Sequence, residues 1–276
     1  MIKNIEFSVL MPIYFKEKSE YFQSAIESIL NQTLLPNEIL IIEDGKIPDD
    51  LEKEVLKYKD KYPDIINILR LEKNIGIGKV RALAMEKCKY DYIAFADSDD
   101  ISRNDRFEKQ IKFLSEHPET DVLGSDITEF DGVPENIYSK RMLPSEHSQI
   151  YQFNKYRMGI NNNTVILKRK SVLDAGNYGK LKAFEDYELY SRMLKKGYKF
   201  ANIPECLVNM RAGAEMMNRR QGVKYFVTCE LPCMNEMFKI GYINIFEYLR
   251  NIFLKFLLRV IPNWLRNWIY KKFLRN

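Results

Sequence analysis

Short apolar runs alternate along the first hundred residues with stretches in which apolar residues recur every three or four positions. That alternation is expected of β-α-β units around a parallel sheet. Phe7-Ser8-Val9-Leu10-Met11 predicts the first strand. Behind it Phe22, Ala25, Ile26, Ile29 and Leu30 follow the spacing of one buried helical face, with Ser19 placed to cap the helix and Pro36 ending the connection. Glu38-Ile39-Leu40-Ile41-Ile42 suits a strand covered on both faces, and it stops at Glu43-Asp44-Gly45. A polar helix from about Asp49, a strand over residues 66–69, a loop with Gly76 and Gly78, and a helix through Ala82-Leu83-Ala84-Met85 come next. Tyr92-Ile93-Ala94-Phe95-Ala96 then repeats the theme and delivers Asp97-Ser98-Asp99-Asp100. In open α/β sheets ligands bind beyond the carboxyl ends of the strands, so both acidic clusters fall where a site is expected.

From residue 101 the alternation loosens. The pattern predicts a helix over 103–114, strands over 121–130 and 164–168, and a helix opened by Asp186, buried along Leu189, Met193 and Leu194 and ended by Gly197. Strands over 198–203 and 206–210 follow. Near the end, Phe246, Leu249, Ile252, Phe253, Phe256, Leu257 and Val260 trace one helical stripe with Arg250, Lys255 and Arg259 off it, and Pro262 breaks the helix. A second segment places Trp264, Trp268 and Tyr270 among Arg266, Lys271, Lys272 and Arg275.

Composition narrows the class. With 276 residues, 46% of them hydrophobic, the chain can bury a sizeable core, which excludes a disordered or fibrous protein. No stretch approaches the length of an uncharged apolar span, and the first residues lack a signal peptide's apolar region, so the expected location is the cytoplasm. Cys88, Cys206, Cys229 and Cys233 read as reduced thiols packed as small hydrophobes. With His117 and His147 the only histidines, imidazole chemistry has little to work with, and carboxylates are the candidate reactive groups. The net charge of +5 is uneven: residues 239–276 hold eight Lys or Arg against Glu247 alone, leaving the rest at −2. That argues against nucleic-acid binding and for a basic appendage.

Carboxylates crowded behind a strand raise one another's pKa unless they bind a cation. Asp97, Asp99 and Asp100 form such a group, suited to Mg²⁺ or Mn²⁺ completed by water and phosphate oxygens; the bland alternative makes Asp99 a helix cap and leaves the others to solvent. Glu185-Asp186 is an acid pair at a helix start, either a cap or a general base favoured by the helix dipole. Asn74-Ile75-Gly76-Ile77-Gly78 is a tight loop followed by Lys79 and Arg81, which can reach a diphosphate or lie on a solvated face.

These segments, in this order, resemble the family 2 glycosyltransferases of the GT-A fold, particularly the bacterial polysaccharide type similar to amylovoran biosynthesis enzymes. The resemblance runs from about residue 7 to 222, on Ser8-Val9-Leu10-Met11-Pro12-Ile13-Tyr14, Ser28-Ile29-Leu30-Asn31-Gln32-Thr33 and the Glu38 to Gly45 run. It implies an α/β, Rossmann-like fold with a mostly parallel central sheet flanked by helices. Residues 1–100 would form a nucleotide-binding half and 101–222 an acceptor half, with a helical, basic amphipathic region over 223–276. By the same resemblance Pro12, Tyr14 and Glu17 line the base and ribose pocket, and Glu43-Asp44 stands where the family's usual Asp-Asp meets the uracil edge. Asn74, Gly76 and Arg81 match the loop closing over the nucleotide. Asp97-Ser98-Asp99 matches the metal motif, with Asp99 the direct ligand. Phe184-Glu185-Asp186-Tyr187-Glu188-Leu189 is similar to the segment carrying the catalytic base, assigned to Asp186 beside Glu185. Arg211, Arg219 and Arg220 match the stretch that folds over the donor phosphates. Relatives often carry histidines after the arginine and at position 162; this chain has Ala212-Gly213-Ala214-Glu215 and Asn162.

The expected activity is inverting transfer from a nucleotide-sugar, a UDP-sugar by resemblance, to a hydroxyl of a glycan or lipid-linked acceptor, with Mn²⁺ or Mg²⁺. The alternatives are a sugar nucleotidyltransferase-like enzyme and a non-catalytic membrane adaptor. The aromatic and cationic C-terminal stripe suits the surface of an anionic membrane, placing the protein peripherally on the inner face; packing on the catalytic domain or another subunit is the competing reading.

Overall fold

The computed structural model describes residues 5–212 and 222–261. Within them, nine strands form one sheet in the order β3-β2-β1-β4-β8-β6-β9-β5, with β7 paired to β6. The first four are β1 (Phe7–Ile13), β2 (Glu38–Glu43), β3 (Ile66–Arg70) and β4 (Tyr92–Phe95), all parallel. They are joined by α1 (Ser19–Leu30), α2 (Asp49–Lys61) and α3 (Ile77–Lys87). Parallel pairing requires these long crossovers, and it brings the carboxyl ends of β1, β2 and β4 to one edge of the sheet.

The second half mixes directions. β6 (Thr120–Phe130) runs parallel to β9 (Lys199–Arg211), whereas β8 (Ile166–Lys168), β7 (Ile137–Arg141) and the two-residue β5 (Ile101–Ser102) pair antiparallel. The two strands expected over 198–203 and 206–210 are one strand, β9. Its register against β6 jumps from Ser125↔Ile203 to Asp126↔Cys206, so Pro204 and Glu205 bulge out where proline has no N–H to give.

Alternation along β1 sorts the helices onto two faces. Val9 and Met11 pack with Phe22, Ile26, Val55, Phe107 and Leu114, from α1, α2 and α4 (Arg106–Glu116). Leu10 points the other way, into a cluster with Val80, Ala84, Tyr190 and Leu194. These belong to α3 and α7 (Glu185–Lys196); α5 (His147–Asn154) adds Ile150 and α6 (Arg169–Asp174) adds Val172 to the same cluster. Ser19 is not the cap of α1: Lys18 holds that position without a side-chain hydrogen bond, and the Ser19 hydroxyl donates to Asp50 instead.

After residue 222 a short helical turn (Gly222–Tyr225) and a π-helical turn (Phe226–Glu230) lead into α8 (Leu231–Lys239) and α9 (Ile245–Val260). Cys233, Met234 and Met237 join the α7-side core, as do Tyr242 and Ile243 between the two helices. α9 starts in a capping box, Asn244 with Glu247. Its orientation is unusual. Asn251 is buried and donates to Lys155 O, and Arg259 grips Glu230, while Phe246, Leu249, Phe253 and Leu257 are exposed. The polar stripe faces the protein and the apolar stripe faces out. No helix among the described residues is long and apolar enough to cross a membrane.

Candidate active site

The acids after β4 have different surroundings. Asp100 is buried, and both its carboxylate oxygens are taken, Oδ1 by the Arg211 backbone N–H at 2.8 Å and Oδ2 by Asn163 Nδ2 at 2.6 Å. It ties β4 to the 3₁₀ turn Asn162–Thr164 and to the end of β9. Asp97 and Asp99 are half-buried, with no hydrogen bond to either carboxylate among those described. Burial, then the charges of Asp97 and Glu17, push the Asp99 carboxyl up to about 7. Burial likewise raises Asp97, with Arg81 pulling down and Asp186 pushing up. Ser98 Oγ donates to Glu17 Oε2 at 2.5 Å, and burial raises the Glu17 carboxyl. Three acids from two loops thus crowd one another where a cation would relieve them.

At the end of β2, Glu43 is buried; Arg70 Nε donates to its Oε2 at 3.1 Å, while Oε1 is enclosed without a partner. Burial raises its carboxyl despite Arg70. Asp44 does different work. Its two oxygens accept the backbone N–H groups of Ile75 and Gly76 at 2.6 and 3.0 Å, and its carbonyl accepts from Asn74 Nδ2 at 3.1 Å. It therefore shapes the Asn74 loop rather than the cleft. Gly45 makes the fit possible: its φ is +84°, and a Cβ there would lie 2.7 Å from Asn74 N.

The third element is α7. Its first residues meet Arg81, which α3 buries and stacks over the Phe95 ring, 5.4 Å from guanidinium to centroid. Arg81 Nη1 donates to Glu185 Oε1 at 2.7 Å, and it stands 3.9 Å from Asp186 Oδ2 and 4.0 Å from Asp97 Oδ1. The Asn162 amide, oriented by its neighbours, accepts from Arg81 Nη1 and Nη2 at 3.3 and 2.8 Å and donates to Tyr190 Oη at 2.5 Å. Burial opposes the charge on Arg81, but Asp186, Glu185 and Asp97 outweigh it and raise its pKa. One guanidinium thus joins the acid of β4 to the acid pair of α7. Glu185 approaches α3 so closely that a Cβ on Gly78 would sit 3.0 Å from its Cγ.

Of the pair, Glu185 is buried and held, whereas Asp186 keeps 15% of its side chain exposed; Asp186 Oδ1 accepts the Tyr187 N–H at 2.7 Å. α7 is entered from Phe184 in the left-handed region, φ 62°, a strained conformation for a bulky residue.

Most residues singled out in the sequence converge here. Pro12 lies at the end of β1 opposite Ile42, and Tyr14 and Glu17 follow in the turn behind it, where Glu17 N donates to Tyr14 O. Arg211 is packed between the Tyr21 and Phe130 rings and donates to Asp99 O and Gly132 O. Arg219 and Arg220 lie outside the described residues. Sequence reading named Asn162 only as standing where relatives often carry a histidine, and it missed Asn163, Tyr190 and the fully buried Arg106, whose guanidinium holds Gln110, Ser102 and the Phe95 carbonyl. A strongly polar run inside an apolar stretch, Asn161-Asn162-Asn163-Thr164, hinted at the asparagines, and no local pattern marked Tyr190 or Arg106. Among the described residues no three His, Cys, Asp or Glu side chains form a metal cage. The donor set at β4 is hard, anionic and small, which fits a Mg²⁺ or Mn²⁺ ion sharing its shell with phosphate oxygens.

The family model described as Glycosyl transferase family 2 matches residues 8–176. The chain belongs to that family. As a family 2 member it is a glycosyltransferase of polysaccharide biosynthesis. It is 33% identical over 272 residues to the Escherichia coli UDP-Gal:alpha-D-GlcNAc-diphosphoundecaprenol beta-1,3-galactosyltransferase, covering 98% of this chain and 97% of that one. To the amylovoran biosynthesis glycosyltransferase AmsE of Erwinia amylovora it is 35% identical over 219 residues, 79% of this chain and 81% of that one. Among solved structures, S. aureus TarS residues 1–349 in complex with UDP-GlcNAc superposes with TM-score 0.65 at 20% identity, covering 98% of this chain and 76% of that chain. The Pyrobaculum calidifontis mannosyltransferase PcManGT, solved with GDP-Man and Mn²⁺, gives 0.66 at 12% identity, over 95% and 72%. These two likenesses confirm the GT-A fold of this family 2 chain.

Proposed function

We propose that this family 2 glycosyltransferase inverts the donor carbon as it moves a sugar from a UDP-sugar to a hydroxyl of a lipid-linked acceptor, with Asp186 as the base. The observation that carries the reading is the meeting at Arg81: Asp97, from the strand that ends the nucleotide-binding half, and Asp186, from the acceptor half, both lie within 4.0 Å of one guanidinium. Residues 1–100 would hold the nucleotide and 101–222 the acceptor, with 223–276 as an added helical region.

The uracil imide N–H is a donor, and Glu43 Oε1 is a buried acceptor without one. Pro12, Tyr14 and Glu17 would flank the base and ribose, with Asn74 and Gly76 closing over them on the loop that Asp44 shapes. Asp99, backed by Asp97, would hold the divalent ion, which when bound neutralises charge gathering on the leaving diphosphate. Arg211 stands at the same edge. Asp186 accepts the proton of the acceptor hydroxyl as that oxygen attacks the anomeric carbon from the side opposite the diphosphate. Glu185, fastened to Arg81, fixes the first turn of α7 on which Asp186 sits. An α-linked donor then gives a β-linked product, the linkage named for the E. coli relative. UDP and undecaprenol-linked acceptors are likewise named for relatives or neighbours of this chain, which supports both choices.

Asp186→Asn tests the assignment. It should lower turnover by about two to four orders of magnitude, the usual worth of a positioned base, while UDP-sugar affinity stays within about twofold. Full activity in that variant, or a retained α-linkage in the product by NMR, removes Asp186 from the role. The outward apolar stripe of α9, together with the cations of the last residues, would dock the enzyme on an anionic membrane at the inner face, where a lipid-linked acceptor is presented.

A further inference from the structure

The turn that carries the acids after β4 is held at several points, and one residue from a distant strand makes two of the holds. Ser98 donates to Glu17, and the Asp100 carboxylate takes the Arg211 backbone N–H and the Asn163 amide. Asp99 is held through its main-chain carbonyl, which accepts Arg211 Nε at 3.2 Å. Arg211 is the last residue of β9 and pairs with Phe130, the last of β6. Its guanidinium lies 3.9 Å from the Tyr21 ring centroid and 4.6 Å from that of Phe130, and Nη1 donates to Gly132 O at 2.6 Å. Phe130 is fully buried, and Tyr21 is half-buried in the first turn of α1.

A guanidinium grips a phosphate best with two parallel N–H groups. Here Nε, a member of such a fork, is committed to Asp99 O, and stacking on two rings fixes the plane of the group. The side chain and the backbone of Arg211 do separable work. Any residue but proline at 211 keeps the N–H that reaches Asp100, so this tie between β4 and β9 survives a change of side chain. What such a change removes is the direct hold on Asp99. Outer partners of this kind orient metal-binding groups, and their loss costs about 10–100-fold in metal affinity.

We infer that Arg211 is a positioning residue for the acid of the divalent ion: stacked on Tyr21 and Phe130, it fixes Asp99 through the main-chain carbonyl instead of closing over the donor phosphates. Tyr21 gains a role by the same geometry, as the wall from α1 that keeps the guanidinium in plane. The inference rests on the reading of Asp99 as the metal acid, and it departs from the phosphate contact that the family resemblance implies for Arg211.

The experiment measures UDP affinity by calorimetry with Mn²⁺ and again with EDTA, on wild type, Arg211→Lys, Tyr21→Ala, Tyr21→Phe and Asp99→Ala. The ratio of the two affinities is the metal-dependent gain. Arg211→Lys keeps the charge but loses Nε and the planar stack. It should lower the gain by about ten- to a hundredfold while the affinity in EDTA stays within about twofold. Tyr21→Ala should lower the gain by about threefold or more, and Tyr21→Phe, which keeps the ring, should hold it at the wild-type value. Binding stoichiometry counts the folded fraction of each protein, so a misfolded Arg211→Lys shows as lost sites and leaves Tyr21→Ala to decide. An equal loss with Mn²⁺ and with EDTA makes Arg211 a phosphate ligand and overturns the inference, as does an unchanged gain in either variant. A gain absent from wild type, or kept in full by Asp99→Ala, fails the reading of Asp99 itself and takes this inference with it.

Discussion

Glu43 and the acids of β4 show how much a single carboxylate's surroundings decide. Glu43 pairs one oxygen with Arg70 and encloses the other, and burial raises its carboxyl above the ordinary value of 4.5. A raised folded-state pKa means that folding favours the protonated form, so this stability is full at low pH and is lost as pH rises through the folded pKa. Glu43→Gln removes that loss. Its melting temperature should match or exceed wild type at pH 7.5, and the gap should narrow toward pH 4.5 in paired thermal melts. UDP-sugar affinity should fall about tenfold, because the amide must turn its N–H₂ toward either Arg70 or the imide N–H, both donors. Asp99 and Asp100 are adjacent yet separable by the same reasoning. Asp99→Ala should abolish metal-dependent donor binding in calorimetry with little change in melting. Asp100→Asn presents an N–H₂ to one of two donors, Arg211 N or Asn163 Nδ2, and should destabilise by about 1–3 kcal/mol in urea unfolding. The motif at Asp97 was legible because a buried strand ends there. The structural duties of Asp44 and Arg81 were not, because their partners lie 31 and 104 positions away and no local pattern records them.

At the scale of elements, spacing predicted what packing on one face decides: α1 and α7 form where apolar residues recur at helical intervals, and β2 where they run continuously. It failed where a long-range partner decides. Ser19 is a good cap in isolation, but Asp50 from α2 captures its hydroxyl. The Asn162–Thr164 turn is polar yet buried, because β4, β6, Arg81 and Tyr190 meet it from outside the segment. The contact between α3 and α7 is the element-level feature most exposed to mutation. Gly78→Ala would place a methyl group 3.0 Å from Glu185 Cγ, on a backbone that otherwise tolerates alanine. The helix itself gains about 0.8–1.0 kcal/mol of propensity from this change. Turnover should nonetheless fall by about tenfold or more, because Glu185 must shift to make room and carries Asp186 with it. Melting temperature and kcat moving in opposite directions would be the signature, read from the same preparation.

The last helix of the described residues, α9, is reversed in polarity, and the proposed membrane seating rests on that feature. Had α9 packed by its apolar stripe, its outer face would be polar. Instead Asn251, Lys255 and Arg259, four residues apart, face inward, and Phe246, Leu249 and Phe253 are 81%, 55% and 65% exposed. The stripe itself was visible in the sequence, but which side it presents was not, since that depends on distant partners, Lys155 for Glu247 and Glu230 for Arg259. Burying a Phe or Leu side chain is worth about 1.5–3 kcal/mol, so three of them inserted below the headgroups outweigh any single surface ion pair. Replacing Phe246, Leu249 and Phe253 together with Glu should reduce co-sedimentation with phosphatidylglycerol vesicles by at least about a hundredfold. Thermal stability should hold, because these side chains contribute nothing to the core. Deleting residues 241–276 is the weaker test, since it also removes Tyr242 and Ile243 from the α7-side core and lowers the melting temperature for an unrelated reason. If the triple variant binds vesicles as wild type does, the outward face of α9 is not the membrane contact; if it loses binding but transfers normally to a water-soluble acceptor, membrane seating and chemistry are separate functions of one chain.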